Sequence, residues 1–131
     1  SFSPEKIPTV LALFADVDSQ KVKSVAILDL NTACALGGTK SNIPQAKIIN
    51  MITEKVISKT VLDHCEHVMS DCAFAFLDRK TRKSLRLKSV SFIPASFPKL
   101  EVLFQKSPSQ RIDIMCEVSG FKTGYITIVS S

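Results

Sequence analysis

The stretch Ile7–Leu30 reads IPTVLALFADVDSQKVKSVAILDL and predicts the first structural unit of the chain. Its two apolar runs, Ile7–Ala15 and Val22–Leu30, are rich in β-branched and aliphatic residues and are typical of strands. Asp16–Lys21 between them is polar and typical of a turn. We therefore expect a hairpin whose first strand is buried on both faces or lies at a sheet edge near Pro8.

Beyond this hairpin the spacing of apolar residues changes. Asn31–Asn42 contains two adjacent glycines, which predict irregular structure. From Ile43 to about Ser70, apolar residues recur every three or four positions, as on an amphipathic helix. The segment forms either one long helix or two helices that meet near Ser58–Thr60. We favour a single helix with an irregularity at that point.

The second half of the chain returns to a period of two, which is typical of strands. Five strands are predicted there: Cys72–Asp78, Arg86–Ile93, Lys99–Gln105, Arg111–Val118 and Tyr125–Ser130. With the hairpin they predict an α+β fold, a mostly antiparallel sheet of about seven strands with one main amphipathic helix. The sheet is expected to be open, closed into a barrel or doubled into a sandwich.

The predicted core follows from the apolar faces of these elements. It comprises Val10, Leu11, Leu13, Val25, Ile27, Ile48, Ile52, Val56, Val61, Val68, Phe74, Phe76, Leu103, Ile112, Ile114 and Ile126. Of the 131 residues, 45% are hydrophobic and 22% are charged, which excludes a disordered chain. We expect a single globular domain over residues 1–131, excised from a longer protein because the chain begins without a methionine.

The cysteines and the hydropathy pattern bear on the cellular compartment. Cys34, Cys65, Cys72 and Cys116 match neither a metal-binding pair nor a compact disulfide framework. We expect reduced, buried thiols in an intracellular protein, cytoplasmic or nuclear. No apolar run reaches the roughly 18 residues that a membrane span needs, so we expect no membrane span.

The main functional lead is the segment Leu77–Ser89, LDRKTRKSLRLKS, in which six of thirteen residues are Lys or Arg and Asp78 is the only acid. It lies between two predicted strands, so we expect a basic hairpin. A hairpin tip also carries charge simply because it is solvated. Clustered cations can instead neutralise several phosphates at once. The candidate anion-binding residues are Arg79, Lys80, Arg82, Lys83, Arg86 and Lys88.

Two functional hypotheses follow. The formal net charge of +5 and the basic hairpin favour a non-enzymatic binding domain that engages nucleic acid or another polyanion with little sequence selectivity. The alternative is a protein-interaction or self-assembly module, such as a viral structural, matrix or movement-type protein. In that case Lys99–Gln105 or Tyr125–Ser130 would be an exposed edge strand that pairs with another chain.

Other motifs that carry chemistry are weak. No nucleophile elbow or phosphate loop is present, so we expect neither catalysis nor a cofactor. The segment Asp63–Cys72, DHCEHVMSDC, is rich in metal-ligand types. Neighbouring helix residues such as His64 and Cys65 point about 100° apart, so the segment alone cannot complete a tetrahedral site. We expect no metal, and leave open whether His64, His67 and Cys65 contribute to a site completed from elsewhere.

One short resemblance supports the alternative hypothesis. A strand that runs into LDRK (Leu77–Lys80), followed by a basic segment and FIP (Phe92–Pro94), resembles the strand-and-aspartate region of the 30K-type plant virus movement proteins. The resemblance is confined to this segment, and the helical segment before it departs from the pattern of that family. It implies a movement-type role.

Overall fold

The structure, a computed structural model that describes residues 7–104 and 107–131, is α+β with one open antiparallel sheet. The strands are Thr9–Ala15 (β1), Val22–Asp29 (β2), Arg86–Ile93 (β3), Gln110–Cys116 (β4) and Gly124–Ser130 (β5). Their order across the sheet is β3-β1-β2-β5-β4. The predicted fold class is confirmed, but five strands replace about seven, and the sheet is not closed.

The first hairpin is confirmed and forms the centre of the sheet. Thr9 pairs with Asp29 at one end, and Ala15 pairs with Val22 at the other. Every residue of β1 except Leu13 is buried, because β1 lies between β2 and β3 and both of its faces are covered. This near-continuous apolar sequence is therefore that of a central strand.

The described chain contains four α-helices rather than one. They are Leu30–Lys40 (α1), Gln45–Glu54 (α2), Lys59–Asp71 (α3) and Leu100–Phe104 (α4). The preferred single helix from 43 to 70 is wrong, because α2 ends at Lys55 in the left-handed conformation with φ 58°. Ser58 then caps α3 by accepting a hydrogen bond from the N–H of Val61. The two-helix reading is correct, with the break slightly earlier than expected.

Helix α1 replaces the irregular segment expected around the glycine pair. Its N-cap is Asp29, whose carboxylate accepts a hydrogen bond from the N–H of Thr32 at 2.9 Å. A Cβ on Gly37 would lie 2.2 Å from the carbonyl oxygen of Val61, in α3. The two glycines therefore allow close helix packing, since α1 lies nearer to α3 and α2 than a side chain at either position would allow.

Two layers cover the sheet. On one face, α1 and α3 bury the main core, which includes Val10, Ala12, Phe14, Ala26, Leu28, Ala33, Cys65 and Met69. On the opposite face, Phe104 of α4 packs with Leu11, Val25, Ile27 and Val129. Six residues of the predicted core are buried: Val10, Leu11, Val25, Ile27, Ile48 and Val61. Four are exposed instead: Val56, Phe74, Ile112 and Ile114.

Two predicted strands are wrong. Cys72–Asp78 contains a short 3-10 helix, Ala73–Ala75, and its only bridge in the described chain joins Leu77 to Ser84. In place of Lys99–Gln105 the chain forms α4, and Gln105 lies outside the described residues. The apolar side chains of α4 pack on the sheet at helical spacing, and they are Leu100, Leu103 and Phe104.

Candidate anion-binding surface

Two turns at the same end of the sheet share one backbone design. Turn 1 is Asp16–Lys21, DVDSQK, and turn 2 is Asp78–Lys83, DRKTRK. In both, the N–H of the first residue donates to the carbonyl of the sixth at 2.9 Å. The fifth residue, Gln20 or Arg82, has φ 63° and donates its N–H back to the carbonyl of the first. Both turns therefore close in the same conformation.

Side chains at matching positions hold the two turns. The Asp16 carboxylate accepts the N–H of Ser19 at 2.7 Å, and this hydrogen bond is the main cause that lowers the pKa of Asp16. The Asp78 carboxylate accepts the N–H groups of Lys80 and Thr81 at 2.8 and 3.3 Å. The hydroxyl at the fourth position accepts the N–H of the sixth at 3.3 Å in each turn. The shared pattern is Asp, two residues, Ser or Thr, one residue, Lys, a signal that the sequence analysis missed.

The carboxylate of Asp78 serves the turn rather than the cations around it. Asp78 is only 7% exposed, and its hydrogen bonds go to backbone N–H groups. Elsewhere the described residues form two ion pairs, Lys59–Asp63 and Arg111–Asp113. Within the same residues, none of the six candidate cations has a carboxylate within salt-bridge distance. No carboxylate of residues 7–104 or 107–131 therefore forms an ion pair with any of the six.

The six cations are all exposed and extend across one end of the sheet. Arg79 Nη1 donates to Ser109 Oγ at 2.9 Å, next to the start of β4. Lys88 Nζ donates to the carbonyl of Gln20, in turn 1, at 3.4 Å. The expected two-stranded finger is shorter than predicted, since a single bridge between Leu77 and Ser84 closes it. Turn 2 instead lies against the sheet end.

Topology adds one cation that the sequence analysis did not include. Lys23, at the start of β2, lines a shallow depression together with Asp78, Arg79, Lys80 and Ser131. No local pattern could have revealed this, because Lys23 lies far from turn 2 in the sequence. We call the six candidate residues and Lys23 the basic surface.

Two phenylalanines that precede turn 2 have different surroundings: Phe76 packs against the core and Phe74 faces solvent. Phe76 stacks on Phe14 with ring centroids 3.9 Å apart, and its carbonyl accepts the N–H of Leu85 at 2.8 Å. This contact anchors the base of turn 2 to the core. Phe74, predicted to be in the core, is 75% exposed because it lies on the outer side of the 3-10 helix.

The residues considered as metal ligands do not converge. Cys65 is buried in the core, and the His64 and His67 rings lie perpendicular, 6.2 Å apart. Ser41 Oγ donates to the carbonyl of Gly37 at 2.6 Å, so it accepts its second hydrogen bond from His64 Nδ1. Among the described residues, no three His, Cys, Asp or Glu side chains are placed to hold one metal ion.

The four cysteines differ in their surroundings. Cys34 and Cys65, the buried thiol pair, are inaccessible, and burial raises their pKa values to about 12 and about 11. Cys116 is half-buried, whereas Cys72 is exposed. The prediction of buried thiols thus holds for two of the four residues.

Across residues 7–104 and 107–131, no helix combines the length and the apolar character that crossing a membrane requires. Comparison of the chain with protein-family models, with curated proteins and with solved structures finds no match.

Proposed function

We propose that this chain is a non-enzymatic binding domain whose basic surface engages nucleic acid or another polyanion. The observation that carries the proposal is a set of six exposed cations without a carboxylate partner among the described residues. Turn 2 fixes four of them on a hydrogen-bonded frame. Because the frame is formed in the free protein, less ordering entropy opposes binding.

Nucleic acid is favoured over a purely ionic polymer by Phe74. This exposed ring precedes turn 2 by a few residues, and exposed aromatic side chains beside cations are typical of surfaces on which unpaired bases stack. Nothing in the basic surface offers a pattern for reading base edges. We therefore propose a single-stranded ligand that is bound with little sequence preference.

The test compares two variants of equal net charge. The first reverses Arg79, Lys80, Lys83 and Lys88 to Glu, and the control reverses Lys40, Lys47, Lys55 and Lys122 to Glu. All eight residues are exposed, and each variant changes the formal net charge from +5 to −3. Any difference in binding between the variants therefore reflects the position of the charges.

Binding to a fluorescent single-stranded oligonucleotide is measured by anisotropy over a range of salt concentrations. We expect the first variant to bind at least about tenfold more weakly than the control and to lose about 3 from the slope of log K against log salt. Equal losses in both variants would refute the proposed location. Arg82→Gly adds a milder test, because it removes one cation while suiting the φ of 63°.

A second measurement separates nucleic acid from other polyanions. Phe74→Ala should weaken oligonucleotide binding by about 1–3 kcal/mol if one base stacks on the ring, and leave polyphosphate binding unchanged. If neither ligand is affected, binding is electrostatic alone and the nucleic-acid assignment fails. The exposure of Phe74 makes a folding defect in this variant unexpected.

We also propose, as a second function, a protein-interaction or self-assembly module of the viral structural, matrix or movement type. The edge strands expected from the sequence are wrong, because Lys99–Gln105 contains α4 and Tyr125–Ser130 lies in β5, between β2 and β4. The observation that favours this function is the exposure of β4. This strand lies at one edge of the sheet and is exposed over nearly its whole length. Assembly through it should persist at high salt, unlike phosphate-driven binding.

A further inference from the structure

Strand β4 is an edge strand with apolar side chains in solvent. No described segment pairs with its outer side, and six of its seven residues are exposed. Ile112 is 51% exposed and Met115 is 64% exposed. A regular edge strand with exposed apolar residues is a template for pairing with another chain.

The opposite edge of the sheet, β3, is protected against such pairing. Leu13 pairs with Ser89 but Phe14 pairs with Leu87, so Lys88 is the extra residue of a β-bulge. Arg86 and Lys88 also place two like charges on that edge, whereas Arg111 and Asp113 of β4 are paired with each other. Bulges and unpaired cations both discourage strand addition. In β4 the pairing with β5 is regular from Gln110 to Cys116. Of the two edges, β4 is therefore the one suited to accept a strand.

The hydrogen bonds between β2, β5 and β4 determine which residues of β4 point their backbone N–H and C=O groups away from β5. The N–H of Ser131 donates to the carbonyl of Lys23, which fixes the residues of β5 that bond to β2. Because alternate residues bond to opposite sides, Ile128 bonds to Ile112 of β4. The free backbone groups on the outer side of β4 belong to Arg111, Asp113 and Met115.

Charge selects one register for pairing two copies of β4. A pairing centred on Arg111 or on Asp113 sets like charges opposite each other, which is unfavourable. A pairing centred on Ile112 sets Arg111 opposite Asp113 of the second copy, twice, and joins residues whose backbone groups point outwards. A pairing centred on Ile114 leaves Asp113 opposite Met115 and would bring Arg111 only to Glu117, which lies beyond the end of β4.

Two contacts within the chain hold the Asp113 carboxylate in position to face Arg111 of a second copy. Thr127 Oγ1 donates to its carboxylate at 2.6 Å, and Arg111 of the same strand lies 3.2 Å away. These two contacts lower the pKa of Asp113 and keep the carboxylate on the face it shares with Arg111. In the register centred on Ile112, the four charges of two copies would alternate in sign.

We infer that two copies of this chain associate by antiparallel pairing of their β4 strands, centred on Ile112, so that two five-stranded sheets become one. The inference rests on the second proposed function and names its partner as a second copy. It also places both basic surfaces on one particle, because β4 begins beside Arg79.

Disulfide trapping tests the register. In this pairing the two Ile112 residues form a non-hydrogen-bonded pair, with Cβ atoms about 4.5–5.5 Å apart, close to the separation that a disulfide needs. The two Ile114 residues lie four positions out of register, about 13 Å apart. With Cys72 and Cys116 changed to Ser, Ile112→Cys should give a covalent dimer under mild oxidation. Ile114→Cys, the matched control on the same face, should not.

Exchanging the charges of Arg111 and Asp113 tests the same register independently, through the affinity of the dimer without oxidation. Sedimentation equilibrium should show that Arg111→Asp weakens the dimer by about tenfold, since it sets like charges opposite each other twice. The double variant Arg111→Asp with Asp113→Arg should restore most of the association. Circular dichroism of each variant checks that the fold is retained.

The outcomes separate this inference from the function on which it rests. A chain that is monomeric at all concentrations and salt conditions overturns both. A chain that assembles, but is trapped equally by Ile112→Cys and Ile114→Cys or is insensitive to Arg111→Asp, overturns the β4 pairing and retains self-assembly through another surface. Selective trapping at Ile112 together with rescue by the double variant supports the inference.

Discussion

Replacement of Asp78 by Ala tests whether the basic surface depends on a preformed turn. Asp78 is 7% exposed, and its carboxylate accepts two backbone N–H groups, at 2.8 and 3.3 Å. Each such bond contributes about 1 kcal/mol net, somewhat more with a charged acceptor. Water can partly replace them, because the donors lie in an exposed loop. We therefore expect Asp78→Ala to lower the free energy of unfolding by about 2 kcal/mol.

Urea denaturation followed by circular dichroism measures this loss. Asp78→Asn is the matched control, because its side-chain oxygen can still accept both N–H groups, and it should lose about half as much. Asp16→Ala in turn 1 should also lose less, since that carboxylate is more exposed than the carboxylate of Asp78. The interpretation is refuted if Asp78→Ala costs less than about 0.5 kcal/mol, or if Asn is as harmful as Ala.

The same variant distinguishes net charge from fixed geometry in binding. Asp78→Ala raises the formal net charge from +5 to +6, so a charge count alone predicts tighter binding to an oligonucleotide. If the frame of turn 2 matters, the gain is cancelled, because the loosened cations must be ordered again on binding. A clear increase in affinity would show that the turn conformation is irrelevant to the ligand.

Three further outcomes are expected. Gly37→Ala should destabilise the chain by about 2 kcal/mol in urea, since its Cβ would meet the Val61 carbonyl at 2.2 Å, and a normal stability would contradict the packing of α1 on α3. Thr127→Val should destabilise more near neutral pH than in acid: the lowered pKa of Asp113 contributes stability above its ordinary value of 3.8, and this is lost as pH falls through the folded pKa. Equal destabilisation at both pH values would show that the hydrogen bond from Thr127 does not lower the pKa of Asp113. A thiol reagent should modify Cys72 quickly in the folded chain and the buried thiol pair only on unfolding, as mass spectrometry can show.

Strands with a strong local signal were predictable from the sequence. The five strands each combine β-branched residues with flanking turn residues, and each begins and ends within two residues of where the sequence predicts it. The first hairpin followed from its short polar link. The order of strands across the sheet did not, because it depends on contacts between segments distant in sequence. The position of β5 inside the sheet was missed for that reason.

The missed helices had physical causes that can be named. Glycine in α1 reads as a helix breaker locally, but the close approach of Val61 requires it there. The segment of α4 alternates like a strand, yet Leu100, Leu103 and Phe104 also fit helical spacing. A five-residue segment fits both patterns, and only the sheet face on which it packs decides between them.

The candidate site was predictable in composition and not in shape. The cluster of cations is visible in the sequence, and all six are exposed as expected. Their lack of carboxylate partners among the described residues, and the addition of Lys23, depend on the tertiary fold. The exposure of Phe74 was missed because the strand predicted there is a 3-10 helix.

The common design of turn 1 and turn 2 separates the shape of a loop from its charge. The Asp carboxylate and the hydroxyl of the fourth residue hold the shape through their hydrogen bonds, while the side chains at the second, third and fifth positions are solvent-exposed in both turns. Val17, Asp18 and Gln20 fill those positions in one turn, and Arg79, Lys80 and Arg82 fill them in the other. The electrostatic character of this end of the molecule can thus be rewritten three residues at a time, by grafting one insert onto the other frame without redesigning the scaffold.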